Sequence, residues 1–182
     1  MNNRTTAWPL SLRLAHWLSA ALVVGALGLG AFMVLAVHNA ATRFELTQAH
    51  KGIGVGVLVL ALMRLGLRCV IRAPKPETTA RTVAILAKAV HVNLYLLLLL
   101  LPLSGWLMVT STPVRVPTVV FGLFDLPYPL APDMVRFRFA HAVHIGLAVA
   151  LAALITLHVG AGFVHARVWR ERTLARMSLW AD

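Results

Sequence analysis

Four long apolar runs, 14–37, 53–70, 83–109 and 139–164, dominate the chain, and charge and proline return only between them. A hydrocarbon layer about 30 Å thick takes roughly 20 residues of helix, so each run is of membrane-crossing length. Backbone groups in lipid must pair within their own segment, and the runs therefore predict helices over about 14–37, 49–71, 83–110 and 139–165. The expected fold class is all-α, an integral membrane four-helix bundle forming one domain over 1–182. The first run exceeds the usual apolar core of a signal peptide and carries His16 at its start, so it reads as a retained helix.

The predicted connections differ. The first, 39–47, is short. The second, 71–82, carries Pro74, Lys75 and Pro76, which oppose helix continuation. The third, 110–138, is the longest, with Pro113, Pro117, Pro127, Pro129 and Pro132 beside Phe121, Phe124 and Tyr128, and is able to cover one mouth of a bundle. Pro102 falls inside the third helix, where it removes a hydrogen bond and predicts a kink. The leucine run 96–101 reads as lipid-facing or packing material.

Composition agrees with a membrane protein: 59% of residues are hydrophobic and 13% charged. The net charge of +11 would raise the question of nucleic acid, but its distribution answers it. Twelve lysines and arginines, among them Arg4, Arg13, Arg64, Lys75 and Arg167, fall on the side of the termini, against five on the other: Arg43, Lys51, Arg115, Arg136 and Arg138. By the positive-inside rule both termini are expected in the cytoplasm of a multi-pass protein, with the lipid bilayer and no nucleic acid as partner. The tail 167–182, basic with Trp169 and Trp180, reads as an interfacial anchor. Cys69 is the single cysteine, which excludes an internal disulfide, a four-cysteine iron–sulfur site and covalent haem attachment through C-x-x-C-H.

The polar residues inside the apolar runs carry the chemistry. His144 and His158 are fourteen residues apart on the fourth run, nearly the same helix face and on the order of 21 Å along the axis. His16 and His50 stand near the starts of two other runs. Alternating helix direction puts His16 level with His158 and His50 level with His144. Neutral imidazoles in opposed pairs suit six-coordinate haem iron, so the four predict two stacked haems b. A histidine alone in an apolar helix is more often a packing or hydrogen-bonding residue than a ligand, and the fourfold coincidence of depth and face reverses that in favour of ligation. His141 competes with His144, but the position fourteen residues on is Ile155, which cannot ligate. His38 reads as a loop residue.

Gly25, Gly28, Gly52, Gly54, Gly56, Gly146, Gly160 and Gly162 are small residues beside or beyond the histidines, where a macrocycle needs close backbone approach. Arg64, fourteen residues after His50, is a candidate for a haem propionate or for snorkelling to the interface, and Arg13 is a second propionate candidate. Arg68 reads as snorkelling. His91 and His165 are candidate contacts of a propionate or a quinone head, with interfacial hydrogen bonding as the alternative.

Four stretches resemble the bacterial cytochrome b561 family: Arg13-Leu14-Ala15-His16-Trp17; His50-Lys51-Gly52-Ile53-Gly54 running to Arg64-Leu65-Gly66-Leu67-Arg68; His91-Val92-Asn93-Leu94-Tyr95 through Pro102-Leu103-Ser104-Gly105; and His144 to His158, followed by Trp169 and Leu174-Ala175-Arg176-Met177. The resemblance covers nearly the whole chain. It implies a di-haem protein of the bacterial inner membrane in which His16, His50, His144 and His158 ligate iron and electrons are exchanged with quinone. It also implies superoxide oxidase activity, superoxide being oxidised to dioxygen and ubiquinone reduced, with Lys51, Arg115, Arg136 and Arg138 attracting the anion. A cytochrome b subunit relaying electrons between quinone and a partner redox enzyme is the alternative nearest to it. A non-haem di-iron membrane oxygenase would need dense histidine clusters on one side of the membrane, and a transporter is disfavoured because no Asp or Glu lies within a span.

Overall fold

The computed structural model describes residues 7–72, 74 and 80–180; Arg4, Lys75 and Pro76 lie outside them. Four helices, α1 Leu10–Leu35, α2 Ala40–Val70, α3 Arg81–Ser111 and α4 Met134–Arg167, are each long and apolar enough to cross a membrane. Between α3 and α4 lies an antiparallel pair of two-residue strands, β1 Val119–Val120 and β2 Phe124–Asp125, and a single 3₁₀ turn, Ala175–Met177, follows α4. Helix α1 packs on α2, α2 on α3, and α3 on α4.

All four helices start earlier than the apolar runs indicate, and for two of them a side-chain cap fixes the start. The segment 39–47, expected as a connection, is mostly helix: Asn39 Oδ1 accepts from the backbone N–H groups of Ala41 and Thr42 and starts α2 at Ala40. Asp133 does the same for α4 through the N–H groups of Val135 and Arg136. The N–H of Arg136 also holds the Asp133 carboxyl below the usual carboxylate range. Hydropathy marks the part of a helix that lies in hydrocarbon, whereas side-chain caps fix where it begins. Helix α3 continues through Pro102, so the ring costs a hydrogen bond without ending the helix.

The core is a thin layer of Val23, Val57, Ala61, Leu98 and Leu151, all buried. Three of these lie seven residues from a predicted ligand: Val23 after His16, Val57 after His50, and Leu151 midway between His144 and His158. Seven residues are two helical turns, so these side chains share the ligands' faces one level further along. Most other apolar side chains face outward. Lipid tails are as apolar as leucine, so packing and polar contacts rather than water exclusion hold such helices together.

Candidate functional site

Four histidines from three helices meet in two pairs. The ring centroids of His16 and His158 are 6.4 Å apart, and those of His50 and His144 are 6.2 Å apart. Metal–imidazole bonds of about 2 Å, with ring centres about 1 Å behind each nitrogen, place the centroids of two opposed rings about 6 Å apart. Both pairs therefore have the separation that one metal between two imidazoles requires. No hydrogen bond satisfies the buried Nδ1 of His16 or of His50, although the Ala26 carbonyl lies near the His50 ring. Buried nitrogens left open in this way are costly unless something occupies them.

His144 is oriented from α3. Its Nδ1 lies 3.1 Å from the Leu101 carbonyl and 3.0 Å from Ser104 Oγ, whose own hydroxyl donates to the same carbonyl at 2.7 Å. A proton on Nδ1, donated to Leu101, leaves the Nε2 lone pair for a metal. Close approach of the helices depends on Gly105: a Cβ there would lie 3.1 Å from His144 Cε1 and 3.3 Å from Nδ1. Gly30 plays the same part for His50, with a would-be Cβ 3.3 Å from Cε1. Sequence reasoning missed both glycines, which are distant in the chain from the rings they accommodate. Of the glycines it picked, Gly25, Gly28, Gly54, Gly146 and Gly160 face nothing within 4 Å, Gly52 and Gly56 face Phe121, and Gly162 faces Leu174.

Gly105→Val should push the His144 ring off its two acceptors and lower haem content relative to the intact protein, as measured by pyridine haemochrome assay. A full complement in that variant would show that the ring accommodates the added side chain.

The remaining candidates separate clearly. Arg64 is half-buried within electrostatic range of both His16 and His158, and its guanidinium carbon lies 5.4 Å from the centroid of Tyr95. Arg13 is buried and donates from Nη1 to the Ser178 carbonyl at 2.6 Å, binding the C-terminal segment to α1. Trp17 Nε1 does likewise to the Met177 carbonyl. Arg68 stacks over Trp8 at 4.7 Å. His91 stands 5.2 Å from His158, ring to ring, with its Nδ1 2.6 Å from the Ala87 carbonyl. His165 pairs with Glu171 at 2.6 Å and meets Trp169 edge-on. His141 stacks on Phe137 and does not join the His50 pair, and His38 is exposed. Among the described residues, no three His, Cys, Asp or Glu groups cluster around a common metal position.

Paired imidazoles inside a bundle of membrane-crossing helices, with an apolar layer between the pairs, suit the donor requirement of haem iron. Comparison with known proteins gives the family: the model for prokaryotic cytochrome b561 matches residues 7–179, and the chain belongs to that family. Cytochrome b561 homolog 2 of Escherichia coli (strain K12) is 33% identical over 163 residues, covering 89% of this chain and 86% of the relative. The protein is accordingly a membrane electron-transfer protein of a haem b-binding family.

Proposed function

We propose that the protein is a di-haem b oxidoreductase of the bacterial inner membrane that transfers electrons from superoxide to ubiquinone, with both termini in the cytoplasm. The observation that carries this reading is the presence of two imidazole pairs, His16 with His158 and His50 with His144, at metal-bridging separation and at opposite ends of the bundle. Haem b held at each pair supplies one-electron redox chemistry. The layer of Val23, Val57 and Leu151 keeps water out of the space between the pairs.

At the His50 end, Lys51 follows a ligand directly and Arg138 is exposed, so these two cations are placed to draw in a small anion. Arg115 and Arg136 brace the loop through the Leu130 carbonyl and through Ser111 Oγ and the Ala131 carbonyl. They contribute charge while being held in place. Glu45, Asp125 and Asp133 share this end and weaken the field.

At the other end, Thr156, Leu157, Gly160, Val164, His165 and Trp169 line an apolar groove of about 550 Å³ along α4. Such a groove suits a quinone, with His165, its Nδ1 held by Glu171, offering Nε2–H to a ring carbonyl while the isoprenoid tail stays in lipid. Two superoxide anions each lose one electron and become dioxygen, and ubiquinone takes up those two electrons with two protons. The His165–Glu171 pair is the protonatable group at the groove.

Stopped-flow absorption of the haem-loaded protein mixed with superoxide tests the reading. Rapid haem reduction followed by quinone-dependent reoxidation is expected. Haems that stay oxidised would leave a relay subunit that awaits a partner redox enzyme.

A further inference from the structure

The long loop between α3 and α4 contains a hairpin whose direction along α2 can be read from its contacts. Gln48 Nε2 donates to the Pro117 carbonyl at 3.0 Å, just before β1. Four residues on, at the turn, the Phe121 ring lies against Gly52 and Gly56, 3.4 Å from where a Cβ at Gly56 would stand. From Gln48 to Gly56 is eight residues, about 12 Å along a helix, and four strand residues cover a similar length. The hairpin thus runs down α2 from its polar first turns, with Arg43, Glu45 and Gln48, into the start of the apolar stretch at Ile53.

Its faces alternate accordingly. Thr118 and Val120 are buried, each 2% exposed, while Val119, Phe121, Leu123 and Phe124 are exposed. From 119 to 125 the only charge is Asp125, which pairs with Val119 at the open end, away from the turn. The turn is itself built at a cost: Phe121 has φ +50° and Gly122 φ +73°, with Leu123 N–H donating to the Val120 carbonyl at 2.9 Å. Glycine accepts a positive φ freely and a bulky aromatic residue does not. The conformation directs the Phe121 ring onto the two glycines of α2.

We infer that the hairpin 119–125 is a membrane-interface element, its turn and the exposed face of Val119, Phe121, Leu123 and Phe124 seated in the lipid leaflet at the His50 end. The lipid-facing surface of α2 is continuous with the hairpin at Gly52 and Gly56, so the leaflet that surrounds the helix is the partner of stated chemistry. Backbone groups near hydrocarbon favour pairing, and the strand pairing, the Leu123–Val120 bond and the Leu126 N–H donation to the Thr118 carbonyl at 2.9 Å pair part of the hairpin's backbone, as suits a site at the interface. The short apolar edge is thereby kept from water, where it would invite association.

The test uses the full-length, haem-loaded protein in liposomes. Cys69 is exposed and is removed as Cys69→Ser, and a nitroxide is attached at Leu123→Cys, whose side chain is 79% exposed and makes no core contact. Power-saturation electron paramagnetic resonance compares collisions with oxygen, which concentrates in lipid, and with a water-soluble nickel chelate. Oxygen accessibility several-fold above nickel accessibility is expected at position 123, and the reverse ratio would overturn the inference. A second label at Asp125→Cys, toward the open end, should show the nickel contribution rising. Equal, water-like values at both positions would place the whole hairpin in solvent and also overturn the inference. Neither readout depends on the electron donor or acceptor.

Discussion

His144→Ala protein should carry about half the haem of the intact protein, one haem per chain on the proposed pairing, and the haem it keeps should have an unchanged spectrum. The ring it removes is held by the Leu101 carbonyl and Ser104 Oγ from α3, and the neighbouring His141 is turned away onto Phe137, so no other imidazole stands ready to replace it. The reciprocal variant behaves differently. His91 lies 5.2 Å from His158 and is placed to take over as a donor, so His158→Ala is best paired with His158→Ala/His91→Ala. The double variant should lose the haem at the His16 level and retain the one at the His50 level. Haem content by pyridine haemochrome assay, with low-temperature spectra to tell the two apart, checks both. Retention of both haems in His144→Ala would end the proposed pairing.

Arg64→Ala should lower the midpoint potential of the haem at the His16 and His158 level and leave the other nearly unmoved. A nearby cation favours the reduced, more negative state of a redox centre, and an arginine holding a propionate also neutralises that carboxylate. Removing it should shift the potential down on the order of 60 mV, a tenfold change in a one-electron equilibrium. Tyr95 packs against the guanidinium and confines it to this level. Redox titration in the visible Soret and α bands resolves the two centres. Equal shifts in both, or none, would remove Arg64 from its proposed position.

The sequence shows the four spans because hydrocarbon selects strongly for apolar composition, and it shows the histidine pairing because helix pitch fixes both depth and face. The fourteen-residue spacing of His144 and His158 predicts two levels, and the structure brings His16 and His50 to those levels at similar separations. What the sequence hides are contacts between residues distant in the chain. Gly105 supports His144 from another helix, and Gly30 supports His50, while glycines adjacent to the ligands in sequence face open space or the loop. The helical character of 40–47 was obscured by its polar composition, which hydropathy reads as a connection although Asn39 caps it. Arg13 shows a similar limit: it stands in the sequence as a propionate candidate, and the contact of its guanidinium with the Ser178 carbonyl, which holds the C-terminal segment, is not legible there.

The proposed function requires this bundle to hold two haems, each between two imidazoles. Quantitative haem extraction from the purified protein, normalised to amino-acid analysis and combined with electron paramagnetic resonance of the oxidised state, measures this directly. Two haems b per chain with low-spin, bis-imidazole signals are predicted. One haem per chain, or a high-spin five-coordinate signal from either centre, would contradict it.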